Sequence, residues 1–116
     1  MAPVSSPIVL GEFEVVVLLA VLQLVECGQP AYGSTIRDAI VLRANRKVAR
    51  GAIYVTLDRL EQKGLLASRL AEATRVRDHR PKRLFKLTGA GLKAVRSAVA
   101  LVNRMQRGLE PVLERP

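Results

Sequence analysis

The chain has 116 residues, of which 49% are hydrophobic and 25% charged, a balance that excludes a disordered tail and allows one domain to bury about two-thirds of its unfolded surface. Nineteen Lys and Arg against ten Asp and Glu give a net charge of +9. The single cysteine, Cys27, excludes an intrachain disulfide and points to a cytoplasmic chain rather than a secreted scaffold.

The first ten residues read as an N-terminal extension. The longest apolar run, Val15 to Leu22, is far too short to span a membrane. Met1 to Ser6 carries no Lys or Arg, and Glu12 and Glu14 interrupt the apolar segment, so the start reads as mature sequence and not as a secretory signal. Residues 11–26 are predicted as a first helix, with Phe13, Val16, Val17, Ala20 and Leu24 on a buried stripe. Val15, Leu18, Leu19, Val21 and Leu22 make that helix apolar nearly all round. It needs cover on more than one side, and a second subunit is expected to supply part of it, approaching at Val16 and the small Ala20.

Cys27 to Pro30 form a turn, since Gly28 tolerates a left-handed cap and Pro30 cannot continue a helix. A second helix is predicted from Ala31 to Ala44, with Tyr32, Ile36, Ala39 and Ile40 on one stripe and Arg37 and Asp38 outside it. A third runs from Ala49 to Lys63, turning Ile53, Leu57 and Leu60 inward, with Gly64 as its C-cap. The face opposite presents Gly51, Val55, Asp58, Arg59 and Gln62, flanked by Arg50 and Tyr54.

After Gly64 the period changes. Leu66, Ser68 and Leu70, then Arg83 to Leu87, fit two strands of a hairpin. The polar stretch between them holds Arg75, Arg77, His79, Arg80 and Lys82. Thr88 can cap a last helix from Gly89, whose apolar positions Leu92, Val95, Val99, Val102 and Leu109 follow a heptad spacing broken at Gln106. That stripe has no remaining partner within the domain, and Pro111 is expected to interrupt any helix after Gly108.

The charge is concentrated in the middle. Residues 1–45 sum to −2, residues 46–88 to +8 and residues 89–116 to +3. A localised positive footprint is what a polyanion binder requires. The fold class is therefore mainly α with a small β-hairpin, in the order of a winged helix-turn-helix over residues 11–88 with a dimerisation helix and tail over 89–116. On that order the third helix fits a major groove and the basic hairpin reaches phosphates or the minor groove. Gly51 permits close backbone approach, Val55 can touch a thymine methyl, and Arg59 can reach phosphate or guanine; Asp58 would repel phosphates unless Arg59 or another base pairs with it.

Other chemistries have little to stand on. Cys27 with His79 is the only candidate nucleophile and base, and it reads better as a buried thiol and a phosphate-facing imidazole, so no catalytic residues and no enzyme are expected. One Cys and one His cannot build a zinc tetrad, no Gly-rich phosphate loop occurs, and neither metal nor cofactor is expected. A peripheral membrane binder would need cations beside the apolar helix, yet the first 36 residues contain none. A protein-interaction adaptor that keeps the scaffold without DNA remains as the alternative, and it predicts little salt dependence.

The Tyr32-Gly33 pair, the Gly51-Ala52-Ile53-Tyr54 block with Leu57, Leu60, Glu61 and Gly64-Leu65, and the Arg83-Leu84-Phe85-Lys86-Leu87-Thr88 run ending at Gly91 resemble the PadR family of transcriptional regulators over residues 10–105. The resemblance implies a homodimeric repressor that holds double-stranded DNA with its third helix and wing, dimerises through its first and last helices, and is released by a small hydrophobic effector. Two departures accompany it. The chain has no Trp, so it lacks the stacked pair with which the short-form subgroup grips flat drugs, and Leu84 and Phe85 stand where the family commonly has tyrosines. The candidate DNA-binding residues are thus Tyr32, Arg50, Gly51, Tyr54, Val55, Arg59, Arg75, Arg77, His79, Arg80 and Lys82. The candidate dimer residues are Val16, Ala20, Leu92, Val95, Val99, Val102 and Leu109.

Overall fold

The computed structural model describes residues 9–71 and 82–116. Helices α1 (Glu12–Glu26), α2 (Gly33–Ala44) and α3 (Arg50–Gln62) are followed by strands β1 (Leu66–Leu70) and β2 (Arg83–Leu87), then α4 (Gly89–Gln106) and α5 (Glu110–Leu113). The strands pair antiparallel, from Leu66 opposite Leu87 to Leu70 opposite Arg83. This is a mainly helical chain with one hairpin and a C-terminal helix, as its sequence predicts. Among the described residues no helix is long and apolar enough to cross a membrane.

One core joins the elements: Val17, Leu18 and Val21 of α1, Ile36 and Ile40 of α2, Ile53, Leu57 and Leu60 of α3, Leu65, Leu66 and Phe85 at the hairpin, and Val95 of α4. The inward face of α1 is turned from the expected stripe. Leu18 and Val21 are fully buried with Val17, while Phe13, Val16 and Leu24 are only half-buried. A helix apolar all round has no amphipathic preference of its own, so α2, α3, α4 and β2, which all pack on it, choose the face.

Each joint has a local cause. Gly28 at φ +72° ends α1, and Gln29 N–H reaches back 2.8 Å to the Leu24 carbonyl. Helix α2 begins two residues later than predicted, because the Ala31 carbonyl accepts the Phe85 N–H at 3.0 Å and so extends the edge of β2 instead of entering the helix. The Tyr32 N–H is taken by Thr35 Oγ1 at 2.8 Å. Gly64 at φ +75° closes α3 with a paired cap, Gly64 N–H to the Glu61 carbonyl and Leu65 N–H to the Leu60 carbonyl, both 3.0 Å. Thr88 caps α4, its Oγ1 accepting the Gly91 N–H at 3.0 Å and donating to the Gly64 carbonyl at 2.6 Å.

Three expectations are corrected. Cys27 is exposed at the end of α1, not a buried thiol. Val95 is 2% exposed and belongs to its own protomer's core, so it supports the outer stripe from beneath. The last helix ends at Gln106; Gly108 at φ +84° turns the chain, Leu109 caps a separate helical turn, and Pro111 sits in the first turn of α5, where a missing N–H costs nothing. The heptad pattern therefore stops before Leu109.

A partly buried ion pair ties the start of α1 to the end of α3. Glu14 accepts the Gly11 N–H at 2.9 Å on one oxygen and Lys63 Nζ at 2.7 Å on the other. Burial raises the Glu14 carboxyl, but the Lys63 and Gly11 hydrogen bonds and the charges of Lys63 and Arg59 outweigh it and hold it below the ordinary value. A depressed folded pKa stabilises the protein above the unfolded value, near 4.3, and that contribution disappears as pH falls through the lower folded value. Glu14→Gln is therefore expected to cost about 1–2 kcal/mol at pH 7 and progressively less below pH 4, read by urea unfolding at each pH. An equal penalty at pH 3 and pH 7 would refute the electrostatic origin.

Candidate nucleic-acid interface

The first turns of α2 and α3 and the start of β2 converge on a groove of about 600 Å³. Tyr32, Gly33 and Ser34 come from α2 and its cap, Arg50 and Tyr54 from α3, and Lys82 and Arg83 from the hairpin. Helix N-termini expose unpaired N–H groups and the positive end of the peptide dipoles, so two of them beside Arg50 and Lys82 make a site suited to phosphate. Among the described residues neither Arg50 nor Lys82 has a carboxylate partner. Lys82 Nζ stands 5.2 Å from the centre of the Tyr32 ring, which steadies an exposed cation without neutralising it.

Gly33 lets the Tyr54 side chain lie close. A Cβ at this position would meet the Tyr54 ring at 2.6 Å and its hydroxyl at 2.8 Å. Tyr54 therefore lies across the first turn of α2 while the residue remains 46% exposed. Arg37, which the sequence places only outside the core stripe, also lines the groove, and its Nε donates to the Val48 carbonyl at 2.7 Å, fixing the α2–α3 connection. Its signal in the sequence is its position one turn after Gly33 on the polar side of α2.

The outward face of α3 is as expected: Gly51, Val55, Asp58, Arg59 and Gln62 are all exposed. The base that answers Asp58 is Arg83, not Arg59. Arg83 Nη1 donates to Asp58 Oδ1 at 2.8 Å, Nη2 to Glu61, and Ser68 Oγ donates to Glu61 Oε2 at 2.8 Å. The Asp58 hydrogen bond raises the Arg83 pKa against an opposing effect of burial, and Glu61 adds to the rise. This network braces the hairpin on α3 and removes the repulsion Asp58 would otherwise present to phosphate. Arg59 lies toward the opposite flank of α3, where its charge acts on Glu14 of α1.

Tyr32, Arg50, Tyr54 and Lys82 thus share one groove, with Gly51 and Val55 on the adjoining face of α3. Arg75, Arg77, His79 and Arg80 lie outside the described residues. Among the candidate dimer residues, Leu92, Val99 and Val102 of α4 are exposed, Val16 is half-buried, and Ala20 is almost covered. Leu109 is exposed beyond the helix.

Solved structures share this architecture. A PadR family transcriptional regulator from Eggerthella lenta is 26% identical over 84% of this chain and 83% of its own, with a TM-score of 0.61. A PadR-like transcription factor from Bacteroides fragilis is 25% identical over 87% and 94%, TM-score 0.63. A PadR-like transcriptional regulator from Bacillus cereus, 17% identical over 90% and 93% with a TM-score of 0.68, matches in fold. Among curated proteins none matches the sequence. The profile of the transcriptional regulator PadR-like family matches residues 21–97, from the middle of α1 through the hairpin into α4 and more than half of the chain. With a winged helix-turn-helix whose cationic groove lies between its second and third helices, this chain belongs to the PadR-like family of transcriptional regulators.

Proposed function

We infer that the protein is a homodimeric repressor that binds double-stranded DNA in the cytoplasm. The observation that carries the reading is the groove holding Arg50 and Lys82, two cations without carboxylate partners among the described residues, at the N-termini of α2 and α3. Tyr32, Arg50, Tyr54 and Lys82 hold phosphates at the rim. Gly51 and Val55 then bring α3 against base edges in the major groove, Arg59 reaches backbone on the α1 side, and Arg75, Arg77, His79 and Arg80 extend the contact along the wing.

Dimerisation rests on α4. Its exposed Leu92 and Val99 border an apolar groove of about 410 Å³ shared with Leu19 and Leu22 of α1, and Val102 continues the stripe. A twofold pair of such faces, with Val16 and Ala20 of α1 at its margin, would set two α3 helices about 34–36 Å apart on successive major grooves. Leu109 lies past the end of α4 and belongs to the tail, not to this seam. A small hydrophobic effector at the interface would lower DNA affinity by binding better to a dimer with a different spacing of its α3 helices.

Genomic fragments retained by the protein provide the test. Binding between about 50 and 200 mM salt is expected to fall steeply on a log–log plot, and Arg50→Ala and Lys82→Ala should each lower the slope by about one phosphate's worth. A slope near zero would leave the adaptor reading and overturn this one.

A further inference from the structure

We propose, resting on the DNA-binding reading, that Asp58 of α3 reads a cytosine in the major groove: one carboxylate oxygen is held by Arg83 of the hairpin, and the other accepts the amino group of the base.

The position comes first. At about 100° per residue, Gly51, Val55, Asp58 and Gln62 fall within about 60° of one another on the outward face of α3. All four are exposed, and Asp58 keeps 55% of its side chain open to solvent although it is ion-paired. Gly51 lets the backbone approach and Val55 offers methyl groups, so Asp58 is the one charged side chain on this stripe. The same helical geometry puts it on the flank nearer Tyr54 and Arg50, beside the cationic groove.

Its orientation is fixed before any ligand arrives. Arg83 Nη1 donates to Oδ1 at 2.8 Å, and among the described residues nothing donates to Oδ2. The guanidinium is itself pinned: its carbon stands 4.9 Å from the centre of the buried Phe85 ring, Nη2 donates to Glu61, and Nε donates to Ser68 Oγ at 3.4 Å. Glu61 and Ser68 therefore anchor Arg83 without help from Asp58. The brace does not need a second carboxylate, and phosphates disfavour one on this face, so its presence there calls for a ligand group that seeks an acceptor.

Base edges differ in what they offer such a group. In the major groove guanine presents two acceptors, thymine an acceptor and a methyl group, and adenine an acceptor beside its amino group. Cytosine presents its N4 amino donor with no acceptor on the same base, so it is the base a carboxylate matches. Arg83 acts as a positioning residue: it compensates the charge of Asp58 and holds its rotamer, so little ordering is left to occur on binding.

The test selects duplexes from a randomised pool with full-length wild type, Asp58→Asn and Asp58→Ala, then measures each protein on the wild-type site and on that site with single base pairs exchanged. Wild type is expected to prefer one C·G pair at least about fivefold over the alternatives. Asp58→Asn keeps an oxygen for Arg83 and turns the outer oxygen into an amino donor. Its preference at that pair should pass to a base presenting an acceptor, guanine or thymine, with the rest of the site unchanged. Asp58→Ala should discriminate there by less than about twofold. A side chain that only braced the hairpin would weaken all sequences alike, and circular dichroism checks that the variants fold. Variants that select the wild-type site, or lose affinity equally for every pair, overturn the cytosine reading and leave DNA binding in place. So does a wild type whose binding is steeply salt-dependent but selects no site. Binding without salt dependence removes the DNA-binding reading and this proposal together.

Discussion

Gly91→Ala is expected to destabilise the protein by about 3 kcal/mol, at the upper end of what overpacking costs, and to lower the melting temperature by roughly 10 °C or more. The cause is a single close approach. A Cβ on Gly91 would lie 2.0 Å from the Leu65 carbonyl oxygen and 2.9 Å from its carbon, and both are backbone atoms that cannot rotate aside. The same carbonyl accepts the Thr88 N–H at 3.1 Å, and Thr88 caps α4 on the Gly91 N–H. Moving α4 away to admit a methyl group would therefore disturb its cap, its seat on the hairpin and the burial of Val95 together. Gly89→Ala is the control. Its Cβ meets nothing within 4 Å, so it should be neutral or slightly stabilising. Thermal unfolding of the two variants side by side checks the argument, and a Gly91→Ala protein as stable as Gly89→Ala would refute it.

Val99→Glu is expected to produce a folded monomer and to lower affinity for a retained genomic fragment by about 10²- to 10⁴-fold, the loss of bivalent engagement. Val99 is 37% exposed on the protomer, so a carboxylate there remains solvated in the single chain. In the proposed dimer each copy would bury that charge in an apolar seam, and uncompensated burial of a carboxylate costs several kcal/mol. Sedimentation equilibrium and circular dichroism separate dissociation from unfolding. A variant that still sediments as a dimer would show that α4 is not the interface.

The third helix was legible because its apolar residues fall on one narrow stripe: Ile53, Leu57 and Leu60 are buried, and the face opposite is exposed as the spacing requires. The hairpin was equally legible from the change of period after Gly64. Helix α1 was legible only as a helix, since its uniform hydrophobicity carries no information about direction. Helix α2 starts two residues past the point its sequence pattern predicts because Ala31 is committed to a hydrogen bond with Phe85, a residue 54 positions along the chain. Of the residues that meet in the groove, Arg50, Tyr54 and Lys82 stand out in the sequence by charge and helix face, whereas Arg37 and the Arg83 brace depend on the elements packed beside them.

Local pattern therefore determined which segments are helix and strand, where glycines close them, and that positive charge gathers in the middle third. These properties depend on spacing within a few residues, where backbone geometry repeats. The face that α1 buries, the partner that neutralises Asp58, the withdrawal of Val95 into its own core and the meeting of Tyr32, Arg50 and Lys82 in one groove were decided by tertiary structure. Each depends on contacts between distant segments, whose geometry exists only after the elements have packed.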